Sequence, residues 1–281
     1  DKSYEELPFE AQMNCDCDEA AGAHMRCPPE GLEPQPTAPF FPSSKAGLRI
    51  DGKLITSNVG KHVRLKREGT KLRQRIISKE GWIDSDFDKV DWASMEIALK
   101  KLGRTRFQTR VIQFQHRWLP LGRQQNRIDS ERSKLCPICK EAEETQSHFL
   151  RCTHRSCQAN LIVQLAVFHR SLQKKKILGA IWTQIKQRIL YELGQVPTCP
   201  ACPSPKDGDR IGRHIQLAVI DQANIGWINF LRGRISVHWG RAQGIYYSEA
   251  FPDSKTLTAQ TFQTATISGT WTVFHGMWEH R

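Results

Sequence analysis

The sequence predicts a mainly α fold: a helical bundle-like domain with one short β-hairpin and a compact Cys/His knuckle. Three observations predict it. Apolar residues recur at three- and four-residue spacing through most of the chain after residue 57. One Asp-Gly pair is flanked by two short apolar runs, and two thiols two residues apart lie upstream of a His and a further thiol.

Residues 8–26 read as a helix, with Pro8 in its first turn and Phe9, Met13, Ala20, Ala21 and Met25 as an apolar face. It stops at Cys27-Pro28-Pro29. Six prolines fall within residues 27–42, a composition that builds no packed core and behaves as a semi-rigid spacer. Leu48-Arg49-Ile50 and Lys53-Leu54-Ile55 then flank Asp51-Gly52, a pair that accepts the positive φ of a two-residue hairpin turn. Helical periods follow at about 58–78, 91–102, 104–118, 145–152, 154–175, 177–193, 208–223, 226–239 and 258–281. A cluster of Pro, Cys and Gly from Pro197 to Asp209 marks a loop between either two helical lobes or two helices. The expected organisation is a helical segment at 1–26, a Pro-rich linker at 27–46, a helical domain at 47–195 with the knuckle at 136–152, and a C-terminal helical region at 196–281.

The 281 residues are 39% hydrophobic, enough for one large or two modest cores. The 41 Lys+Arg against 29 Asp+Glu give a formal net charge of +12, which suits a polyanionic partner. Nine cysteines are an odd set with no signal-like apolar stretch before them, so a reducing compartment, nucleus or cytoplasm, is expected. The longest apolar run, Leu161 to Phe168, is interrupted by Gln164 and too short to span a bilayer, so no membrane segment is expected. The chain opens on Asp1 and closes on Arg281 in the middle of an amphipathic pattern, and both ends read as cuts in a longer protein.

The spacing Cys136-x2-Cys139-x8-His148-x3-Cys152 carries the clearest chemistry. The Cys pair supplies two thiolates from one tight turn, and His148 and Cys152, four apart, share one face of a helix that Thr145 is placed to cap. Such donors converge on a tetrahedral Zn2+, with Cys157 or His154 close enough to replace Cys152 as fourth ligand. Four protein ligands leave no position for water, so the zinc is expected to be structural. The second pair, Cys199 and Cys202, has no partner nearby and reads as two free thiols in a loop. Asp84, Asp86, Asp88 and Asp91 imitate the opening of a calcium loop, but Lys89 stands where Gly is required and Met95 where the closing Glu belongs, so helix capping is expected of them.

Lys100, Lys101, Arg104, Arg106, Arg110, Arg117, Arg123 and Arg127 follow one another without an intervening acid. Such a run repels itself unless an anion is present, which makes these eight the candidate contacts to RNA or DNA phosphates. Lys61, Arg64, Lys66, Arg67, Lys71, Arg73 and Arg75 form a second cluster. Val111, Phe107, Phe114 and Trp118 interleave with the first cluster at helical spacing and are expected in the core.

Arg117-Trp118-Leu119-Pro120-Leu121-Gly122-Arg123, followed by Cys136-Pro137-Ile138-Cys139, Glu144-Thr145, His148 and Cys152, resembles the zinc-binding region that follows the reverse transcriptase and ribonuclease H parts of non-LTR-type retroelement proteins. The stretch from Leu7 to Ala20 is similar to the last helix of a ribonuclease H-like domain, and the order along the chain matches. The segments Gly226-Trp227 and Gly233 to Trp239 resemble the tail of retroelement-derived reading frames. The resemblance implies that residues 1–26 end a ribonuclease H-like domain and that Cys136, Cys139, His148 and Cys152 are the zinc ligands. It implies that Asp18 stands where the final metal-binding carboxylate of ribonuclease H lies, and that upstream reverse transcriptase and ribonuclease H domains, with their Mg2+ chemistry, belong to the parent protein. One carboxylate cannot clamp two ions, so this segment is expected to be non-catalytic. Two other readings are a helical protein-interaction module presenting Trp227, Trp239, Trp271 and Trp278, and part of a metal-dependent nuclease using Asp18.

Overall fold

The computed structural model describes residues 12, 15–17, 19, 48–50, 52–103 and 105–281. The chain divides into two compact units at Gly69/Thr70. In the first, residues 12, 15–17 and 19 are helical, and β1 (Leu48–Ile50) pairs antiparallel with β2 (Lys53–Ile55) in the register Arg49 opposite Leu54. The turn works because Gly52 takes φ +76°, a region an L side chain adopts with strain. A helix, α1 (Val59–Glu80), begins in this unit and ends in the second.

The second unit is helical, as the periodicity predicts. It contains α2 (Asp84–Asp88), α3 (Trp92–Lys101), α4 (Arg106–His116), α5 (Gly122–Ile128), α6 (Gln146–Arg151), α7 (Arg155–Gln173), α8 (Gly179–Glu192), α9 (Arg210–Ile225), α10 (Trp227–Leu231), α11 (Val237–Ala250) and α12 (Ala259–His280). One continuous core runs from Met95 on α3 to Met277 on α12, so the loop from Pro197 to Asp209 joins two helices of that core. A smaller cluster of Trp82, Val90 and Ile225 seats Ile76 and Ile77 of α1. The aspartates divide their work. Asp91 caps α3 through the Ser94 N–H at 3.0 Å, and Asp86 accepts from the Ile83 N–H, while Asp84 and Asp88 hold Arg73 at 3.0 and 2.5 Å.

The C-terminal helix α12 lies at the centre of the core, packed on α7, α3 and α11. Its sequence is rich in Thr, Ser and Gly, yet it buries Phe262, Ile267, Trp271 and Phe274, each such side chain contributing about 1.5–3 kcal/mol. Hydroxyls fit a core when they find an acceptor in their own preceding turn, as Thr266 does on the Phe262 carbonyl and Thr270 on that of Ile267. Gly269 lets α7 come close: a Cβ there would lie 2.3 Å from the Phe168 ring. The Phe114 and Phe274 rings stack at 4.1 Å, fastening α4 to α12. Buried glutamines tie loops to helices, Gln243 accepting from the Leu178 N–H at 3.0 Å and donating to the Lys176 carbonyl at 3.0 Å.

Three local expectations are corrected. The helical stretch expected at 226–239 breaks after Leu231, because Gly233 adopts φ +87° and Ser236 starts α11 by accepting from the His238 N–H. The stretch expected at 104–118 stops at His116, where Arg117 turns left-handed at φ 63°. Trp118 therefore leaves the helix and is 62% exposed, whereas Val111 and Phe114 are buried as expected.

Candidate metal centre

The knuckle is a small irregular hairpin before it is a metal site. Leu135 and Glu143 form an isolated antiparallel bridge, the Cys136 N–H donates to the Ala142 carbonyl at 2.9 Å, and the Lys140 N–H returns to the Cys136 carbonyl at 2.9 Å. Lys140 closes the turn at φ 59°. The N–H groups of Glu141 and Ala142 then point at the Cys139 sulfur. Thr145 caps α6, as its spacing predicts, accepting from the His148 N–H at 3.1 Å. One turn later the chain leaves the helix at Cys152, so imidazole and thiol face the hairpin together.

The donor atoms of Cys136, Cys139, His148 and Cys152 all lie within 4.8 Å of one another, and Cys139 Sγ is 3.3 Å from His148 Nε2. Tetrahedral bonds of about 2.0–2.3 Å place such donors roughly 3.5–3.8 Å apart, so the four residues can hold a metal ion with small adjustments. The question of the fourth ligand has a geometric answer. His154 is spent on capping α7, its Nδ1 accepting from the Ser156 N–H at 3.3 Å and meeting Ser156 Oγ at 2.8 Å. Cys157 lies beside Cys152 but outside the four-donor set. Burial pushes the Cys136 thiol up and the Cys152 thiol up to about 11. Burial also opposes ionisation of Cys139, yet the two backbone N–H groups and the neighbouring thiols bring it below its ordinary value. A metal ion entering this cluster displaces the remaining protons.

Glu144 locks the knuckle to the bundle. Its buried carboxylate accepts from the Gly122 N–H at 2.5 Å and receives both Nη2, at 2.5 Å, and Nε of Arg281. A Cβ at position 122 would meet the Lys134 carbonyl at 2.9 Å, which explains the glycine. The C-terminal residue of the chain thus fixes the carboxylate next in sequence to the α6 cap.

The chain matches no family model, no curated protein and no solved structure.

The candidate phosphate contacts have diverse surroundings. Lys100 pairs with Glu96 at 2.6 Å, Arg117 with Glu80 at 2.6 Å and Arg123 with Glu143 at 3.9 Å. Arg110 donates to Gln113 at 2.8 Å and covers the Trp278 ring at 5.0 Å. Acids from outside the run therefore relieve part of the repulsion that the sequence leaves uncompensated. Lys101, Arg106 and Arg127 are exposed and have no acidic partner among the described residues. Arg104 and Asp18 lie outside the described residues. Beside Arg117, the exposed Trp118 ring lies on His116 at 5.1 Å, and Lys79 Nζ donates to the His116 carbonyl at 2.9 Å.

The tryptophan surface expected of an interaction module is absent. Trp239 and Trp271 are completely buried, Trp227 is buried, and Trp278 packs edge-on against Phe149. Their spacing on amphipathic helices reflects core packing. Cys199 and Cys202 are exposed free thiols, as expected, and His214 is engaged with His238 at 2.9 Å. Among the described residues no helix is long and apolar enough to cross a membrane.

Glu80 with Arg232 and Arg234, and Glu144 with Arg281, are separated by 137 residues or more along the chain, and no local pattern in the sequence signals them.

Proposed function

We propose that this chain is a non-catalytic C-terminal segment of a retroelement reverse transcriptase polyprotein: a zinc-stapled helical module that holds RNA or DNA by phosphate contacts beside upstream reverse transcriptase and ribonuclease H domains. Three thiolates and an imidazole are a donor set suited to Zn2+, and four protein ligands suit a structural role. The Mg2+ chemistry belongs, in this reading, to the upstream domains. The similarity of the run from Arg117 to Cys152 to retroelement zinc regions supports the parentage. The module works in the nucleus or cytoplasm, where such thiols stay reduced.

The single observation that carries the binding role is Trp118. An indole 62% exposed, with His116 on one side and Arg117 as its chain neighbour, offers a flat surface to an unpaired base. Lys101, Arg106 and Arg127 supply exposed charge for the backbone, which positions a strand without reading its sequence.

Fluorescence anisotropy of single-stranded RNA and duplex DNA across a salt series tests this. Trp118→Ala is expected to weaken single-stranded binding by about 1–3 kcal/mol and duplex binding much less. Joint Arg106→Glu and Arg127→Glu substitution is expected to flatten the salt dependence. Arg117 is left unchanged because its charge is already paired with Glu80. Unaltered affinity and slope in both variants would contradict the proposal.

A further inference from the structure

A cavity of about 570 Å³ opens between α6, α8 and α10, and none of the four donor residues lines it. Its walls carry Arg117, Arg151, Arg188 and Arg232 against only two carboxylates, Glu80 and Glu192. Glu192 is neutralised by Arg151. Glu80, whose side chain is 3% exposed, is shared by Arg117 at 2.6 Å, Arg234 at 2.7 Å and Arg232 at 3.8 Å, with the Asn229 amide at 3.0 Å. Three guanidinium groups thus surround one negative charge.

Arg188, also buried, donates to the Pro200 and Ala201 carbonyls at 3.0 and 3.2 Å and has no acidic partner among the described residues. Buried positive charge in such excess is costly unless an anion joins it. Arg232 shows where. Its side chain is 6% exposed, its Nη1 donates to Asn229 Oδ1 at 2.9 Å, and its Nε is buried with no partner. Burial, followed by the charges of Arg117 and Arg234, brings Arg232 down to about 10 in spite of Glu80. Lys79 is likewise lowered by burial and by Arg117.

The same lining also carries Trp227, Leu150, Ile228 and the exposed Tyr191, which give it apolar and aromatic surface. Guanidinium forks match phosphate oxygens, and aromatic lining residues match a base. The volume falls within the range of about 300–1,000 Å³ usual for small-ligand sites.

We propose that this cavity binds a phosphate monoester of nucleotide size, with the phosphate against Arg117 and Arg232 and the ring toward Trp227 and Tyr191. Two sources share that chemistry: a free mononucleotide and the 5′-phosphorylated end of a nucleic-acid strand. The proposal rests on the charge balance of the cavity and not on the exposed face around Trp118, so either can fail alone.

Isothermal titration of the full chain with inorganic phosphate, adenosine monophosphate, adenosine, and a short oligonucleotide with and without a 5′-phosphate tests it. Saturable binding of the monophosphate, with adenosine at least about tenfold weaker, is expected, since charged hydrogen bonds carry the affinity. A free nucleotide as ligand gives no advantage to the phosphorylated oligonucleotide; a strand end as ligand makes it the tightest binder. Arg232→Gln is expected to abolish binding, with circular dichroism checking that it folds. The exposed Arg117→Gln, which leaves Arg234 and Asn229 on Glu80, is expected to weaken binding by about ten- to a hundredfold. Lys255→Gln, on an exposed loop outside the cavity lining, should bind as the parent does. No saturable binding of any phosphorylated probe, or unchanged affinity in Arg117→Gln, would overturn the proposal.

Discussion

Cys139→Ser is expected to abolish metal binding and loosen residues 134–152 while leaving the helical core folded. The Cys139 sulfur lies 3.3 Å from His148 Nε2, and the turn that carries it is closed by a few backbone hydrogen bonds and one isolated bridge. Structural zinc sites of this kind contribute roughly 10–16 kcal/mol of apparent binding free energy, far more than such a turn supplies by itself. The core lies elsewhere: Phe114 on Phe274, Phe168 on Trp182 and the buried face of α12 need no metal. Elemental analysis is expected to fall from one metal per chain to a small fraction. Amide hydrogen exchange is expected to accelerate across 134–152 and change little in α12. Cys157→Ser is the internal control, because Cys157 stands outside the four-donor set. Equal loss of metal in both variants would mean that the fourth ligand has been assigned wrongly.

Glu80→Gln should be the most damaging single change outside the knuckle. Glu80 sits at 3% exposure among Arg117, Arg232 and Arg234, and neutralising it leaves guanidinium groups that are themselves only 6% and 7% exposed without a counter-charge. Breaking a buried pair in this way costs about 3–5 kcal/mol, which lowers the melting temperature by roughly 10 °C in a unit of this size. The pH dependence identifies the cause. Burial opposes the ionised form of Glu80, but the hydrogen bond and charge of Arg234, the Asn229 amide and Arg117 together hold its carboxyl below the usual range. A depressed carboxylate contributes stability that is present above its unfolded value, about 4.3, and lost as pH falls through the lower folded value. The gap in melting temperature between parent and variant should therefore be widest near neutrality and narrow on acidification below about pH 4. A gap that is the same at pH 7 and pH 3 would mean that packing, not charge, sets the loss.

The architecture was readable wherever one local signal decided the outcome. The 3.6-residue period found most of the long helices but not α11 beyond residue 239, Asp51-Gly52 found the hairpin, and the spacing from Cys136 to Cys152 found the four donors, because chelation depends on residues close in sequence. Single-residue backbone states were not readable. Arg117 at φ 63° and Gly233 at φ 87° end helices that the apolar pattern carries onward, and the first of these puts Trp118 in solvent. Nor was the buried charge. Pairing Glu144 with Arg281, or Glu80 with Arg234, depends on how α12 and α10 pack, and an amphipathic pattern does not encode which distant helix meets which. The buried tryptophans show the same limit from the other side. A Trp on a helix face can meet core or partner, and only the packing of α10, α11 and α12 decides that Trp239 and Trp271 meet core.

X-ray absorption at the metal edge of the metal-loaded full chain tests the central claim most directly, since it counts donors by element and distance. Gathering of Cys136, Cys139, His148 and Cys152 around one Zn2+ predicts three sulfurs at about 2.3 Å and one nitrogen at about 2.0–2.1 Å. A shell of oxygens, two sulfurs or fewer, or a protein that takes up no zinc when folded would contradict it.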